Sequence, residues 1–339
     1  MSLNPGVDEE LMARAVALSR HGFPAPNPHV GCVVAKGGKI FGEGFHDHAG
    51  GPHAERVALN QAGREAEGAD VYVTLEPCNH FGRTPPCSDA LIEAKVKRVV
   101  IACADPNPRA YGGAEKLRAA GIEVVMGLLE KEAASANELF LESMRLKRPV
   151  VVVKAACSLD GRVALPSGES KWITGQEARR MGHVLRARCG AVLVGYRTVI
   201  ADDPELTARI DGVWNQPLRI VIDPDNRLAG TEKVFNDQAE TLHVTGRPVD
   251  LNALLRELFG KGRTGLLVEG GGRTIGGFFN ERLVDEVELF VAPKILGSGP
   301  SWLEGYGLAR LDLAPRMEGL DLAFAGTDLH LKGRPVWPG

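Results

Sequence analysis

The chain has 339 residues, of which 44% are hydrophobic and 24% charged, and its formal net charge is -3. That length favours two domains over one, each able to bury its own core. A near-neutral balance without blocks of like charge argues against a dedicated nucleic-acid or membrane-surface binder. No apolar run is long enough to span a membrane and the first residues lack a signal architecture, so a cytoplasmic protein is expected.

In chain order, "DEELMARAVALSRHG" predicts a helix capped by Asp8 and stopped by Gly22. "VGCVVAKGGKIFGEGF" is two β-rich runs around Gly-Gly, a hairpin signal. "HAERVALNQAG" reads as a helix, "DVYVTL" as a strand, and "SDALIEAK" as a helix with Ser88 as N-cap. "VKRVVIAC" is a strand, "GGAEKLRAAG" a helix and "IEVVMG" a strand. "EKEAASANELFLESMRLK" is one longer helix ending before Pro149. The pattern restarts at "PVVVVKAACS", which places a domain boundary near residues 147–149. The second half alternates again, with a Thr174-capped helix over "TGQEARRMGHVLRARCG", strands "AVLVG" and "LRIVID", and the strand "TGLLVEG" entering a Gly-rich turn. A helix over "GGFFNERLV" and a strand over "DEVELFVAPKIL" follow. Alternation of this kind predicts two α/β domains, the first built on a largely parallel sheet beyond its hairpin.

The six cysteines do not read as a disulfide framework. Cys32, Cys103, Cys157 and Cys189 sit in apolar or small-residue segments and read as buried thiols. Cys78 and Cys87 instead flank the polar loop of "EPCNHFGRTPPCSDALIEA", one just past a strand end and the other at a helix start. His53 also stands at a helix start, in "GPHAER". Helix N-termini favour thiolate, the form that binds metal. One His and two Cys is the ligand count of a catalytic zinc site, which leaves a fourth position for water. In mid-helix, residues two apart diverge, so Glu55 can share a site with His53 only from the first turn. There a carboxylate that is not a ligand can carry a proton from water to a substrate nitrogen and to departing ammonia. His-x-Glu followed by Pro-Cys is the zinc-deaminase signature, although the spacing here is C-x8-C rather than C-x2-C.

The segments "APNPHVGCVV", "GGPHAE" and "TLEPCNHFGRTPPC" together resemble the bifunctional riboflavin-biosynthesis deaminase/reductase family, in which the longer inter-cysteine loop is the norm. The resemblance implies a cytidine-deaminase-like αβα domain over residues 1–147, with His53, Cys78 and Cys87 holding Zn2+ and Glu55 as proton carrier. It also implies substrate contacts from Asn27, Asp105 and Asn107, with His80 and Arg83 facing the phosphate. After "DPNP" the family usually runs one residue longer than "RAYGGAEKL".

No intact Gly-x-Gly-x-x-Gly occurs in the second half, though "LLVEGGG" ends a strand in glycines before a helix, a geometry that presents N–H groups to phosphates. With "VVVVKAACSLDGRVALPSGESKWITGQEARR" and "GYRTVIADDPELTAR", it resembles the family's dihydrofolate-reductase-like α/β domain, over residues 148–339, which uses NADPH. By that resemblance Ala156, Trp172, Thr198, Asp202, Gly271, Gly272, Gly276 and Gly277 face the nucleotide. Ser170, Arg186, Leu206, Arg209 and Glu269 face a phosphorylated ribosyl substrate. Guanidinium forks suit phosphate oxygens, but Arg186 and Arg209 also read as two of many surface arginines. Lys154 reads either as a proton donor or as the partner of a carboxylate, and Trp172 either as core or as a wall beside the nicotinamide.

The function expected is deamination of 2,5-diamino-6-ribosylamino-pyrimidinone 5′-phosphate followed by NADPH reduction of the ribosyl chain to ribityl. The partners expected are a small phosphorylated pyrimidine and a second copy of the chain, as homodimer or larger, with neither nucleic acid nor membrane. Two rivals stay open: a paralogous pyrimidine deaminase with another substrate or an inactive reductase domain, and an RNA-editing zinc deaminase.

Overall fold

In the computed structural model, which describes residues 5–81, 85–108 and 110–338, the apolar runs of the sequence become the central strands of two separate sheets. The chain divides into two compact units, Met1–Arg145 and Leu146–Gly339.

The first unit runs α1 (Pro5–Ser19), β1 (Gly31–Lys36), β2 (Lys39–Phe45), α2 (Ala54–Ala62), β3 (Asp70–Leu75), α3 (Cys87–Glu93), β4 (Arg98–Cys103), α4 (Gly113–Ala119), β5 (Glu123–Met126), α5 (Glu130–Ala136) and α6 (Glu138–Leu146). Its strands lie in the order β2-β1-β3-β4-β5. The β1–β2 hairpin turns through Gly37 and Gly38, both at positive φ, as a two-residue hairpin turn requires. β1 pairs antiparallel with β3, and β3, β4 and β5 are parallel. β3 and β4 are buried almost end to end, because both faces of the sheet carry helices. Close packing places α2: a Cβ at Gly42 would fall 2.0 Å from the Ala58 carbonyl oxygen, and one at Gly44 2.4 Å from that of Ala54. Only glycine lets this helix lie so near β2, and the contact fixes where His53 and Glu55 stand.

The second unit runs β6 (Val150–Ser158), α7 (Gln176–Cys189), β7 (Ala191–Gly195), α8 (Tyr196–Asp202), β8 (Leu218–Ile222), β9 (Thr241–Val244), α9 (Leu251–Gly260), β10 (Gly265–Val268), α10 (Gly272–Asn280), β11 (Glu286–Ala292), β12 (Arg316–Ala325) and β13 (Asp328–Val336). The strand order is β12-β13-β11-β6-β10-β7-β8-β9, parallel from β11 to β9. Alternation along β6 sends Val151, Val153 and Ala155 into the main core, among Leu255, Leu258 and Phe278. Each buried Val, Leu or Phe among these stabilises the fold by about 1.5–3 kcal/mol. The opposite parity of β6 carries Lys154 and Ala156.

Several local expectations are corrected. Asp8 is not a cap: it lies within α1, buried, and its carboxylate accepts two hydrogen bonds from Arg98 and one from the Tyr72 hydroxyl. α1 ends at Ser19, short of Gly22. Ser88 lies inside α3, with Pro86 at the N-cap, and Gly175 rather than Thr174 precedes α7. The long helix after β5 is two helices broken at Asn137. Its buried carboxamide accepts from the His29 backbone N–H and donates to the His29 carbonyl, both at 2.6 Å. That tie to a distant segment outweighs one more helical turn. The β12–β13 hairpin and α9, capped by Asp250, were not predicted.

Candidate active sites

The first site forms where two helices begin. His53 is the N-cap of α2 and Cys87 the first residue of α3, while Cys78 lies in the loop between β3 and α3. His53 Nδ1 lies 3.2 Å from Cys87 Sγ and 3.6 Å from Cys78 Sγ, and the three ligand atoms lie within 4.8 Å of one another. Two sulfurs and a nitrogen bound to one tetrahedral zinc at 2.0–2.3 Å would stand about 3.5 Å apart, so the donor set fits that ion in both chemistry and spacing. A hydrogen bond from the Cys87 thiol leads the causes that push Cys78 down to about 4, and the same bond pushes Cys87 up. His53 is raised, first by its hydrogen bond with Cys78.

Glu55, in the first turn of α2, is 3% exposed. Burial leads the causes that raise its carboxyl, which stands beside Cys78 and Cys87. The first turn therefore does bring the glutamate to the ligands, as the sequence required. A carboxyl raised by burial beside a metal-ligand set is suited to take a proton and give it back.

Asn27 reaches this site through a histidine that the sequence reading passed over. Its Nδ2 lies 3.0 Å from His46 Nε2, His46 Nδ1 lies 3.0 Å from the Pro52 carbonyl oxygen, and the His46 ring meets the His53 ring edge-on at 5.2 Å. Burial lowers His46. Asp105 and Asn107 follow β4: the Asn107 N–H donates to Asp105 Oδ1 at 2.9 Å, and burial leads the causes that push Asp105 up to about 6. Glu76, also missed although it immediately precedes Pro77 and Cys78, accepts from the Asp105 N–H at 3.3 Å and the Ala114 N–H at 2.9 Å. It thereby ties the Asp105 loop to the strand that leads to Cys78. The short turn after Asn107 packs directly on that loop, since a Cβ at Gly113 would fall 1.8 Å from the Pro77 carbonyl oxygen. His80 is exposed, and Arg83 lies outside the described residues.

The second site is a cavity of about 790 Å³ at the carboxyl ends of β6, β7 and β10. β6 supplies Lys154 and Ala156, and the segment after it supplies Ser170 and Trp172. α7 supplies Arg186, and α8 and the segment after it supply Thr198, Asp202, Leu206 and Arg209, while Glu269 and Gly271 follow β10. Arg186 donates to Glu269 Oε2 through Nε at 3.1 Å and Nη2 at 2.6 Å. Glu269 Oε1, also buried, has no partner among the described residues. Burial alone would raise this carboxyl, but Arg186 and Lys154 together hold it below its ordinary range. Burial lowers Lys154. Gly182 on α7 lies beside both groups: a Cβ there would stand in ordinary contact, 3.7 Å from Lys154 Nζ and 3.9 Å from Glu269 Oε1. Lys154 lines the cavity as a neighbour of the Glu269 carboxylate. Trp172 is not core: it is 65% exposed, with Arg179 Cζ 4.5 Å from its ring centre.

Three glycines stand elsewhere. A Cβ at Gly276 would fall 1.9 Å from the Glu304 carbonyl oxygen, one at Gly272 2.4 Å from that of Ser301, and one at Gly277 faces Leu251. Gly272 and Gly276 let α10 lie against the 301–306 segment, and of this turn only Gly270 and Gly271 border the cavity. The cavity's size, its unpartnered buried acceptor and the N–H groups opening α10 fit a nicotinamide dinucleotide.

Fold and sites together define a two-part enzyme: a zinc-binding deaminase region followed by a reductase domain. Residues 5–103 match the cytidine and deoxycytidylate deaminase zinc-binding region, and residues 149–331 match the RibD C-terminal domain. The riboflavin biosynthesis protein RibD of Aquifex aeolicus is 46% identical over 87% of this chain and 89% of its own length. RibD of Acinetobacter baumannii superposes with a TM-score of 0.89 at 40% identity, covering 97% of this chain and 99% of that one. A Thermotoga maritima structure described as a diaminohydroxyphosphoribosylaminopyrimidine deaminase/5-amino-6-(5-phosphoribosylamino)uracil reductase gives 0.87 at 38%, with the same coverage. The chain belongs to the RibD family. Likeness across both halves favours neither rival reading.

Proposed function

We propose that residues 1–147 deaminate 2,5-diamino-6-ribosylamino-pyrimidinone 5′-phosphate and that residues 148–339 reduce the ribosyl group of the product to ribityl with NADPH. The compact units divide two residues earlier than this boundary, and the two family matches lie on either side of it. The observation that carries the reading is buried Glu55 beside the three ligand side chains of His53, Cys78 and Cys87, in a chain that also holds the Lys154–Glu269 cavity.

His53, Cys78 and Cys87 hold the metal. When bound, zinc supplies a water acidified to a pKa of about 7. Glu55 would move two protons in turn: one from the attacking water to the ring nitrogen of the pyrimidine, then the one left on the new carbon-bound hydroxyl to the amine, which departs as ammonia. His46 accepts from Asn27 Nδ2, which leaves Oδ1 of the carboxamide to accept from the substrate, and Asp105, fixed through Glu76, is a second acceptor. His80 and Arg83 serve the phosphate in this proposal.

In the second domain, reduced nicotinamide supplies hydride when bound. Ala156, Trp172, Thr198, Asp202 and Gly271 bind the nucleotide. Ser170, Leu206, Arg186 and Arg209 orient the ribosyl phosphate, and Lys154 delivers a proton to the sugar ring oxygen as the ring opens. Glu269, held ionised, accepts from a sugar hydroxyl through Oε1. We also place the protein in the cytoplasm as a homodimer or larger, on the family likeness. All six cysteines are free, as a reducing compartment keeps them, and no helix among the described residues is long and apolar enough to cross a membrane.

The test follows ammonia release and NADPH oxidation separately, on zinc-loaded protein given the diaminopyrimidine ribotide. Ammonia without NADPH, and NADPH oxidation only once ammonia has appeared, is the expected result. No ammonia from protein with zinc confirmed overturns the assigned substrate.

A further inference from the structure

The sheet face that carries Lys154 continues, on β11 and β13, into buried polar side chains that the reactions above do not use. Register fixes its members. Glu288 on β11 is directly opposite Lys154 and Phe290 is opposite Ala156, while β13 sets Lys332 opposite Glu288 and His330 opposite Phe290. Alternation puts all of these, with Glu286, on one face. Glu286, Glu288, Phe290 and His330 are buried. Both oxygens of Glu288 are engaged: Oε2 meets His330 Nε2, and Oε1 lies 3.3 Å from Arg188 Nη1 on α7 and 3.9 Å from Lys332 Nζ. Glu286 meets the same two cations, Arg188 Nη2 at 3.2 Å and Lys332 Nζ at 3.1 Å. The two carboxylates behind Lys154 are thus matched by cations of their own.

Phe290 is the member that reaches Lys154. Its ring stacks on His330, with centres 4.5 Å apart and planes 6° from parallel, and Lys154 Nζ stands over the ring at 5.8 Å from its centre. In the strand order β13-β11-β6 the ring lies between the two. His330, tied to Glu288, thereby keeps the ring turned toward Lys154. An aromatic face attracts an ammonium through its quadrupole and has no lone pair to take the proton. On the cavity side the charged groups facing Lys154 are Glu269, beyond β10, and Arg186 on α7. Burial lowers the Lys154 pKa, Glu269 raises it and Arg186 lowers it. We propose that Phe290, braced by the His330–Glu288 pair, is a positioning residue of the reductase, whose ring face steadies the Lys154 ammonium at the cavity until its proton is delivered. The inference rests on the reading of Lys154 as proton donor.

The experiment records reductase kcat against pH for the full-length zinc-loaded protein, on deaminated substrate with NADPH. Position 290 carries phenylalanine, 4-fluorophenylalanine or 3,4,5-trifluorophenylalanine, since fluorine drains charge from the ring face while nearly keeping its shape. The alkaline limb should move to lower pH as fluorines are added, by about half a unit to one unit for the trifluoro ring, with the substrate KM in place. Phe290→Leu should move the limb in the same direction, and Phe290→Tyr, which keeps a ring, should leave it at the wild-type pH. The fluorinated rings keep the test valid if Phe290→Leu fails to fold. A limb that stays at the wild-type pH throughout the fluorinated series, even with a lower kcat, shows a packing role and overturns the inference, as does a limb that moves to higher pH. If Lys154→Arg retains the wild-type limb, the proton-donor reading falls and this inference with it. A limb lost in Lys154→Arg but unmoved by fluorine overturns the inference alone.

Discussion

The two sites are built on opposite plans. In the first, three ligand atoms within 4.8 Å come from a helix cap, a loop and a helix start, and a fourth group, the buried Glu55, stands in the first turn beside them. In the second, a cavity of about 790 Å³ is bordered by three strand ends, two helices and the segments after them. The first depends on atoms that no other residue type replaces. The second depends on shape and on a balance of buried charges among Lys154, Arg186 and Glu269. Single changes should therefore silence the first site outright and grade the second.

Metal removal should separate the sites most sharply. Chelation is expected to abolish ammonia release while NADPH-dependent reduction of deaminated substrate continues, measured on the same sample before and after zinc is restored. Glu55→Gln comes next. It should retain zinc by metal analysis yet lose about 10²–10⁴ in deaminase kcat, the usual range for a positioned acid–base group, with reduction unaffected. Equal loss of both activities would erase the contrast between the sites.

Within the cavity, Lys154→Met should lower reductase kcat by about a hundredfold or more. Burial lowers the folded-state pKa of Lys154, and only its ammonium form donates a proton. The wild-type reductase rate should accordingly fall, as pH rises, on a limb below the ordinary lysine range. Lys154→Arg, which keeps its charge, should lose that limb in a pH profile. The smallest expected effect belongs to Arg186→Lys. A point charge in place of the fork on Glu269 should raise the KM of the ribosyl substrate by about tenfold with kcat largely kept. A collapse of kcat would move Arg186 from orientation into the proton chemistry.

What was legible in the sequence follows the same division. A zinc site needs particular atoms, so His53, Glu55, Cys78 and Cys87 could be read from residue type and spacing, and the structure brings them together. The central strands were legible too, because strands buried on both faces leave uninterrupted apolar runs. The cavity was not legible from spacing: Ser170, Leu206 and Glu269 are ordinary residues until the fold brings their loops together, and only the family resemblance pointed to them. Charge and hydrogen bonding over long separations explain the misread caps. Asp8 looks like a helix start but is recruited by Arg98, ninety positions away, and Asn137 breaks a helix to bind His29. Gly272 and Gly276 look like a phosphate turn but serve helix packing. His46 and Glu76 left no signal because their work is to hold other residues.

The most direct test of the account is product mass spectrometry on zinc-loaded protein given the diaminopyrimidine ribotide and NADPH. The account predicts a product in which an amine has been exchanged for oxygen and two hydrogens have been gained, while Glu55→Gln returns the substrate unchanged. A wild-type product that has gained hydrogen without losing the amine, or substrate unchanged with zinc in place, would contradict it.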